Sequence, residues 1–598
     1  MKSVKRQELS REEVWHFDDL YANDETFLKA LAESEEKATE IASYEGRLGS
    51  SPEVLLKALK EKEALSLLSS HFLAYSMMKS DVDTKDQEAL SLNQRAMAVE
   101  VRNGEKLAFF DPEILSLSSE YLDRAFTECR ELEKYSVYIK DVRRLKEHTL
   151  DKNAEKLLAS AQSMASGPYQ AFSMLQNADL QFPSVEMNGE EIPVSNARFV
   201  PLQTGNNRAL RKAVYEAFYK VYQEHRNTFA ALFDAQLKQQ YFFAKARNYP
   251  TAFAASVGEV DVSEKVWEHL ISAVHKKISA FHDYVSLRKE MLGLEDLSMY
   301  DVYAPMVKDY EYHIDFEEAK EVILKGLKPL GEDYQELLKK AYSEYWIDAK
   351  ENDGKRVGAY CNPVFGVHPF ILMSYQGTMD DLFTLAHELG HAMHSYYSEQ
   401  KQGFLNSQYK LFVAEVASTT NEVLLLYYLM EQAKNKEEKL YLYNHFLESF
   451  KGTFFRQTML SEFERKAASM LEAGEAITAD SLEKVYHDLN SYYFGPDMNI
   501  DDLISVEWSR IPHFYYNFYV YQYATSFAVS CAIAKRILAK EEGALEQYKK
   551  FLSSGCTNDP VSLLQLAGVD LSTEKPMVDA ISMFHSIVQE MRDLYHKA

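Results

Sequence analysis

A mainly α-helical protein, large enough for more than one lobe, is predicted by three observations. The chain has 598 residues, far beyond what one small core organises. It holds only 22 glycines and 15 prolines, and long stretches repeat Leu, Glu, Lys and Ala at helical spacing. Strand-like patterns are confined to two short places. A hydrophobic content of 46% supports a folded, soluble protein.

Taken in order, residues 1 to about 180 read as consecutive helices, at 24–45, 52–79, 84–107, 112–131, 135–147 and 151–165, with polar joints between them. Nothing in this stretch looks catalytic. Phe182-Pro-Ser-Val-Glu-Met and Glu191-Ile-Pro-Val-Ser flank Asn188-Gly189, a hairpin signal. Helical periodicity resumes after Thr204-Gly205, which sets the expected division: a helical lobe over 1–200 and a catalytic domain over 201–598. Helices continue to about 345, with loops near 247–260 and 292–315. Residues 357–377 are the most strand-like segment, with Phe370-Ile-Leu-Met-Ser-Tyr375 ending at Gly377. A sheet edge there could pair with an extended peptide backbone; a buried strand without substrate contact is the other reading.

The next segment carries the chemistry. Residues 387–391 read His-Glu-Leu-Gly-His. Thr378 followed by Asp381 has the form of a capping box, and Leu382, Leu385, Ala386, Leu389 and Met393 give a helix its apolar face. On that helix His387 and His391 share one side. They present two imidazole nitrogens to one metal ion, with Glu388 beside it. A second amphipathic helix follows. On it Glu415 lies among Phe412, Val413, Ala414, Val416 and Ala417, and a carboxylate in such company needs a cation or hydrogen bonds. Two histidines and a carboxylate make a His-His-Glu donor set of the kind found in catalytic zinc sites. Glu422, two turns on, is either an acceptor that orients a ligand histidine or a solvated helix residue.

Gly358-Ala-Tyr-Cys-Asn, Pro369-Phe-Ile-Leu-Met-Ser-Tyr-Gln-Gly377, Leu382 to His391 and Phe412 to Glu422 together resemble the oligoendopeptidase F group of the thimet oligopeptidase family of zinc metallopeptidases. Trp15-His-Phe-Asp-Asp-Leu-Tyr21 and Phe182-Pro-Ser-Val-Glu-Met-Asn-Gly189 extend the likeness over essentially the whole chain. The resemblance implies a multi-lobed helical peptidase that encloses a deep substrate channel, with a small β-sheet beside the metal helix. It implies hydrolysis of short peptides, with folded proteins spared. Carried onto this chain, it puts one Zn2+ on His387, His391 and Glu415, and the general base on Glu388. Zinc so held binds a water and lowers its pKa towards about 7, and Glu388 takes the proton as that water attacks.

A third segment, Ile511-Pro-His-Phe-Tyr-Tyr-Asn-Phe-Tyr-Val-Tyr-Gln-Tyr523, reads as a helix started by Pro512. Tyr516, Tyr519 or Val520, and Tyr523 fall on one stripe, with His513 a turn earlier. Periodicity alone favours a core stripe. The resemblance instead implies that His513, Tyr516 and Tyr523, with Tyr519 a weaker candidate, donate hydrogen bonds to the oxyanion of peptide hydrolysis. The chain departs from the thimet branch here, carrying bulky aromatics where that branch has a glycine-rich loop.

Composition sets the remaining bounds. A net charge of −25 argues against nucleic acid and anionic membranes as partners. Cys129, Cys361, Cys531 and Cys556 form no paired motif, as in a reducing compartment. No secretory signal and no run of 18 apolar residues is present, so a cytoplasmic peptidase is expected. The alternatives are a zinc exopeptidase and a catalytically inactive helical peptide-binding scaffold.

Overall fold

The structure, a computed structural model, describes residues 4–307 and 312–597. It is mainly α, 71% helical, with only small sheets, as the periodicity predicts. The described residues form two compact units. The first collects the chain up to Lys146, Tyr312–Leu425 and Ile533–Gly568; the second collects Glu147 to 307, Leu426–Ala532 and Val569 onward.

In the first unit the helices Asp24–Ala42, Pro52–Asp81 and Gln87–Leu107 pack on one another. Each starts where its sequence supplies a cap: Asn23 accepts from the Thr26 N–H, Ser51 precedes Pro52, and Asp86 accepts from Glu88 and Ala89. Their shared core contains Phe27, Leu31, Phe72 and Tyr75. A second core joins the start of the chain to the sheet: Trp15, Met78 and Val82 pack with Val364, Phe370 and Leu372.

That sheet has three strands, β4 (Ile347–Asp348), β5 (Tyr360–Asn362) and β6 (Phe370–Leu372), numbered after β1 (Val185–Met187), β2 (Glu190–Ile192) and β3 (Leu297–Ser298). β6 is central, parallel to β4 and antiparallel to β5, with Ile371 opposite both Ile347 and Cys361. The apolar run Phe370-Ile-Leu is thus buried between two strands, and an edge lies instead at β5. Asp348 at the end of β4 is buried. Burial works against its charge, but Arg6 and Lys355 together hold its pKa below the usual carboxylate range.

In the second unit β1 and β2 form the Asn188-Gly189 hairpin, with Val185 opposite Ile192. Both turn residues have positive φ, 55° and 83°, as this turn chemistry requires. β3 pairs in parallel with β7 (Met498–Asn499). Two segments expected as loops contain more structure: the helix Ala252–Glu259, capped by Thr251, falls within 247–260, and β3 falls within 292–315. The predicted helix at 112–131 is broken into Phe110–Ser116, Ser119–Glu128 and a 3-10 turn.

Candidate metal centre

The capping box forms as the sequence predicts. The Asp381 N–H donates to Thr378 Oγ1 at 3.1 Å, and the Thr378 N–H donates to Asp381 Oδ2 at 2.9 Å. One uninterrupted helix follows from Met379 to Lys401, its apolar side fully buried through Leu382, Leu385, Ala386, Leu389 and Met393. Next to it runs the helix Leu411–Gln432. Gly390 permits the approach: a Cβ there would lie 2.5 Å from the Ser418 Cα and 2.8 Å from the Ala417 carbonyl oxygen. Asn421 clamps the pair by donating to the Ala386 carbonyl at 3.0 Å, and it accepts from the Tyr334 hydroxyl at 2.9 Å.

This packing brings three donor atoms together. Nε2 of His387 and Nε2 of His391 are 3.2 Å apart, and Glu415 Oε2 lies 3.3 Å from the first and 3.5 Å from the second. Ligands about 2.0–2.2 Å from a tetrahedral Zn2+ stand roughly 3.3–3.6 Å from one another. The triangle therefore fits one such ion without rearrangement. Among the described residues, these three are the group of His, Cys, Asp or Glu side chains placed to hold a metal. Charge agrees with geometry. Burial opposes ionisation of Glu415, yet the two imidazoles hold its pKa well below the usual carboxylate range.

Two further carboxyls complete the surroundings. Glu422 Oε1 lies 2.5 Å from Nδ1 of His387. An Nδ1–H donated to that oxygen leaves the Nε2 lone pair facing the triangle. Of the two readings left open for Glu422, the orienting one matches this contact. Glu388 is 6% exposed, and its Oε2 has no hydrogen-bond partner among the described residues. Burial raises its pKa, the direction that makes a carboxylate more basic.

His513, Tyr516, Tyr519 and Tyr523 belong to the second unit. They do cluster there: the His513 ring is 5.6 Å from Tyr516 and 6.2 Å from Tyr523, and Tyr519 is 5.1 Å from Tyr523. They are not on the continuous helix that the aromatic stripe suggests. Pro512–Tyr515 is a 3-10 turn, Asn517 and Phe518 are left-handed with φ of 53° and 59°, and a helix begins only at Tyr521. Two consecutive non-glycine residues in this region are costly, about 1–3 kcal/mol each, and persist only where the surroundings impose them. The surroundings are specific. Glu464, fully buried, accepts from the Phe518 N–H at 2.9 Å; Gln240 donates to Asn517 Oδ1 at 2.8 Å; Ser256 donates to the Asn517 carbonyl at 2.6 Å.

Tyr516 is 44% exposed, and its hydroxyl lies 3.2 Å from that of Tyr169, a residue with no recognisable signal in the sequence. That hydrogen bond, with some burial, moves the Tyr516 pKa up to about 12, so the phenol stays protonated. Burial, aided by Arg456, lowers the His513 pKa and favours the neutral ring.

A helical body with a His-His-carboxylate triangle and an adjacent buried glutamate defines a metallopeptidase. Comparison with known proteins narrows the class. The profile of Peptidase family M3 matches residues 202–583, and that of Oligopeptidase F matches 113–182. The chain is 38% identical to Oligopeptidase PepF of Bacillus subtilis over 593 residues, covering 99% of this chain and 88% of the relative. It is 33% identical to an oligoendopeptidase F homolog of Lactococcus lactis, covering 99% of each. Among solved structures, a peptidase from Chlamydophila abortus superposes with a TM-score of 0.93 at 32% identity, covering 99% of this chain and 100% of that one. Oligoendopeptidase-F from Enterococcus faecium gives 0.74 at 34%, covering 97% and 99%. The chain belongs to peptidase family M3, and it is a metal-dependent enzyme that hydrolyses oligopeptides. Among the described residues no helix is long and apolar enough to cross a membrane.

Proposed function

We propose that this protein is a cytoplasmic zinc endopeptidase that cuts internal bonds of short peptides. One observation carries the reading: the triangle of His387 Nε2, His391 Nε2 and Glu415 Oε2, with edges of 3.2–3.5 Å, beside the buried Glu388. These three side chains would hold one Zn2+ per chain. When bound, the ion supplies Lewis acidity towards the scissile carbonyl and makes water a usable nucleophile at neutral pH.

The remaining work falls to the chain's own groups. Glu388 accepts the proton of the attacking water and returns it to the leaving amine, a role that its raised basicity suits. Glu422 holds His387 in the ligating tautomer. His513, Tyr516 and Tyr523 offer N–H and O–H donors for the oxyanion. Residues 201–598 then carry every catalytic group, and residues 1–200 supply packing around them. Four free cysteines agree with a reducing compartment.

Hydrolysis of an end-blocked, internally quenched peptide by metal-analysed protein is the test. Cleavage abolished by a chelator and restored by about one zinc per chain is the expected outcome. Hydrolysis of free-ended peptides alone would make the enzyme an exopeptidase.

A further inference from the structure

Within the second unit, a cavity of about 200 Å³ opens between aromatic and cationic walls. Phe281, Tyr303, Phe455 and Tyr493 form its apolar sides, and Lys451 and Arg456 its charged ones. Lys451 is 8% exposed on its side chain; its ammonium donates to the Val302 carbonyl at 2.9 Å, pairs with Glu448, and sits 5.4 Å from the Tyr303 ring centre. Arg456 makes two bonds to Glu507, at 2.9 and 3.3 Å.

The ion bookkeeping around this cavity does not balance. Glu448 is shared by Lys451 and Arg288, and Glu507 is shared by Arg456 and Arg510. Four cations thus face two carboxylates, in a chain whose net charge is −25. The neighbouring acids are committed elsewhere: Glu462 to Lys466 and His275, and Asp301 to Arg208 and Arg211. Buried cations without matching anions are costly. The surplus is felt at Lys451, whose pKa is lowered to about 8 by burial and by Arg288 and Arg456, against the pull of Glu448.

Gly452 adds an independent observation. It lies in the π turn Lys451–Phe455, in the cavity wall, and a Cβ there would meet no atom within 4 Å. Glycine inside a helical segment costs roughly 0.5–1 kcal/mol relative to alanine. Close packing among the described residues does not demand it here, and a larger side chain at this point of the cavity wall has room to stand. Single π turns of this kind recur at functional sites.

We infer that this cavity is a binding site for a small organic monocarboxylate with an apolar or aromatic body, its carboxylate set against Lys451 and Arg456. Size agrees: an apolar cavity of about 150 Å³ is enough to take up benzene, so the present one accommodates a ring and a carboxylate. The carboxylate supplies the missing negative charge through charge-assisted hydrogen bonds, and the ring replaces water against the aromatic walls.

Isothermal titration of the full-length, zinc-loaded protein with phenylacetate and with its neutral isostere phenylacetamide tests the inference. Phenylacetate binds with one-to-one stoichiometry, at least about tenfold more tightly than the amide, the margin of one charge-assisted bond. Gly452→Leu fills the cavity without altering charge and weakens phenylacetate at least tenfold, while the ligand-free melting temperature stays close to that of the parent. Lys451→Met weakens the acid and spares the amide. Equal binding of acid and amide, binding that survives Gly452→Leu (as it would at the metal centre), or no binding at tens of millimolar each overturns it.

Discussion

Glu388 and Glu422 are both acidic and both close to the two histidines of the triangle, yet their surroundings suit them to different work. Glu388 is buried with one oxygen unpartnered among the described residues, whereas an oxygen of Glu422 lies against His387 Nδ1. Glu388→Gln keeps shape and removes only basicity, so zinc content stays at about one per chain while kcat falls by about 10²–10⁴. Metal analysis beside steady-state kinetics reads both; full activity would remove Glu388 as the base. Glu422→Gln retains an acceptor but loses the charge that strengthens it. Zinc affinity, measured by competition with a chromogenic chelator, then falls about 10–100-fold, and an unchanged affinity would leave Glu422 without a part in holding the metal.

At the scale of elements, the approach of two helices makes the donor triangle, and Gly390 sets that approach. In Gly390→Ala the new methyl meets Ser418 Cα and the Ala417 carbonyl, backbone atoms that cannot rotate aside. The helices must part, and Glu415, one turn before Ser418, moves with them. Overpacking of this kind costs about 1–3 kcal/mol, so the melting temperature and the zinc affinity fall together; loss of stability alone would mean that the triangle tolerates the shift. The same helix carries Glu399, whose pKa burial pushes up to about 7, against the Gly366 N–H that lowers it. The folded state therefore holds a proton that the unfolded chain releases near pH 4.3, and stability is lost as pH rises through that window. Glu399→Gln removes the dependence. It raises stability at pH 8 by roughly 1–3 kcal/mol and changes little at pH 4, as denaturant melts at the two pH values would read. The metal helix was legible because its cap, its apolar stripe and its two histidines are all local. The Asn188-Gly189 hairpin was legible for the same reason. The break at Asn517-Phe518 was not: only Asn517 hints at a left-handed residue, and its causes, Glu464 and Gln240, are distant in sequence. The central place of β6 was hidden likewise, because β4, one of the partners that bury it, is an unremarkable Ile-Asp pair.

For the whole molecule, what matters is that neither unit is a continuous stretch of chain. The first unit draws on the chain up to Lys146, Tyr312–Leu425 and Ile533–Gly568. Its sheet leads directly into the metal helix, and the start of the chain holds that sheet. Trp15 packs edge-on against Phe370 with ring centres 5.7 Å apart; its indole N–H donates to the Trp346 carbonyl at 3.0 Å, and its backbone N–H to Asp348 at 3.2 Å. Arg6 and Lys355 neutralise Asp348 from either side, while Met78 and Val82 cover Phe370 and Leu372. Each large apolar side chain uncovered on removing these partners costs about 1.5–3 kcal/mol. Several together, with Asp348 left short of one of its two cations, rival the 5–15 kcal/mol that stabilises a typical domain. The fragment 201–598, although it contains every proposed metal ligand and the proposed base, therefore fails to bind zinc stoichiometrically and melts without a cooperative transition. Supplying residues 1–200 in trans restores both, because the missing contacts are packing and ion pairs rather than ligands. A fragment 201–598 that bound one zinc and unfolded cooperatively on its own would show that the sheet stands without its N-terminal cover, and that the triangle is set by the two helices that carry its donor atoms alone.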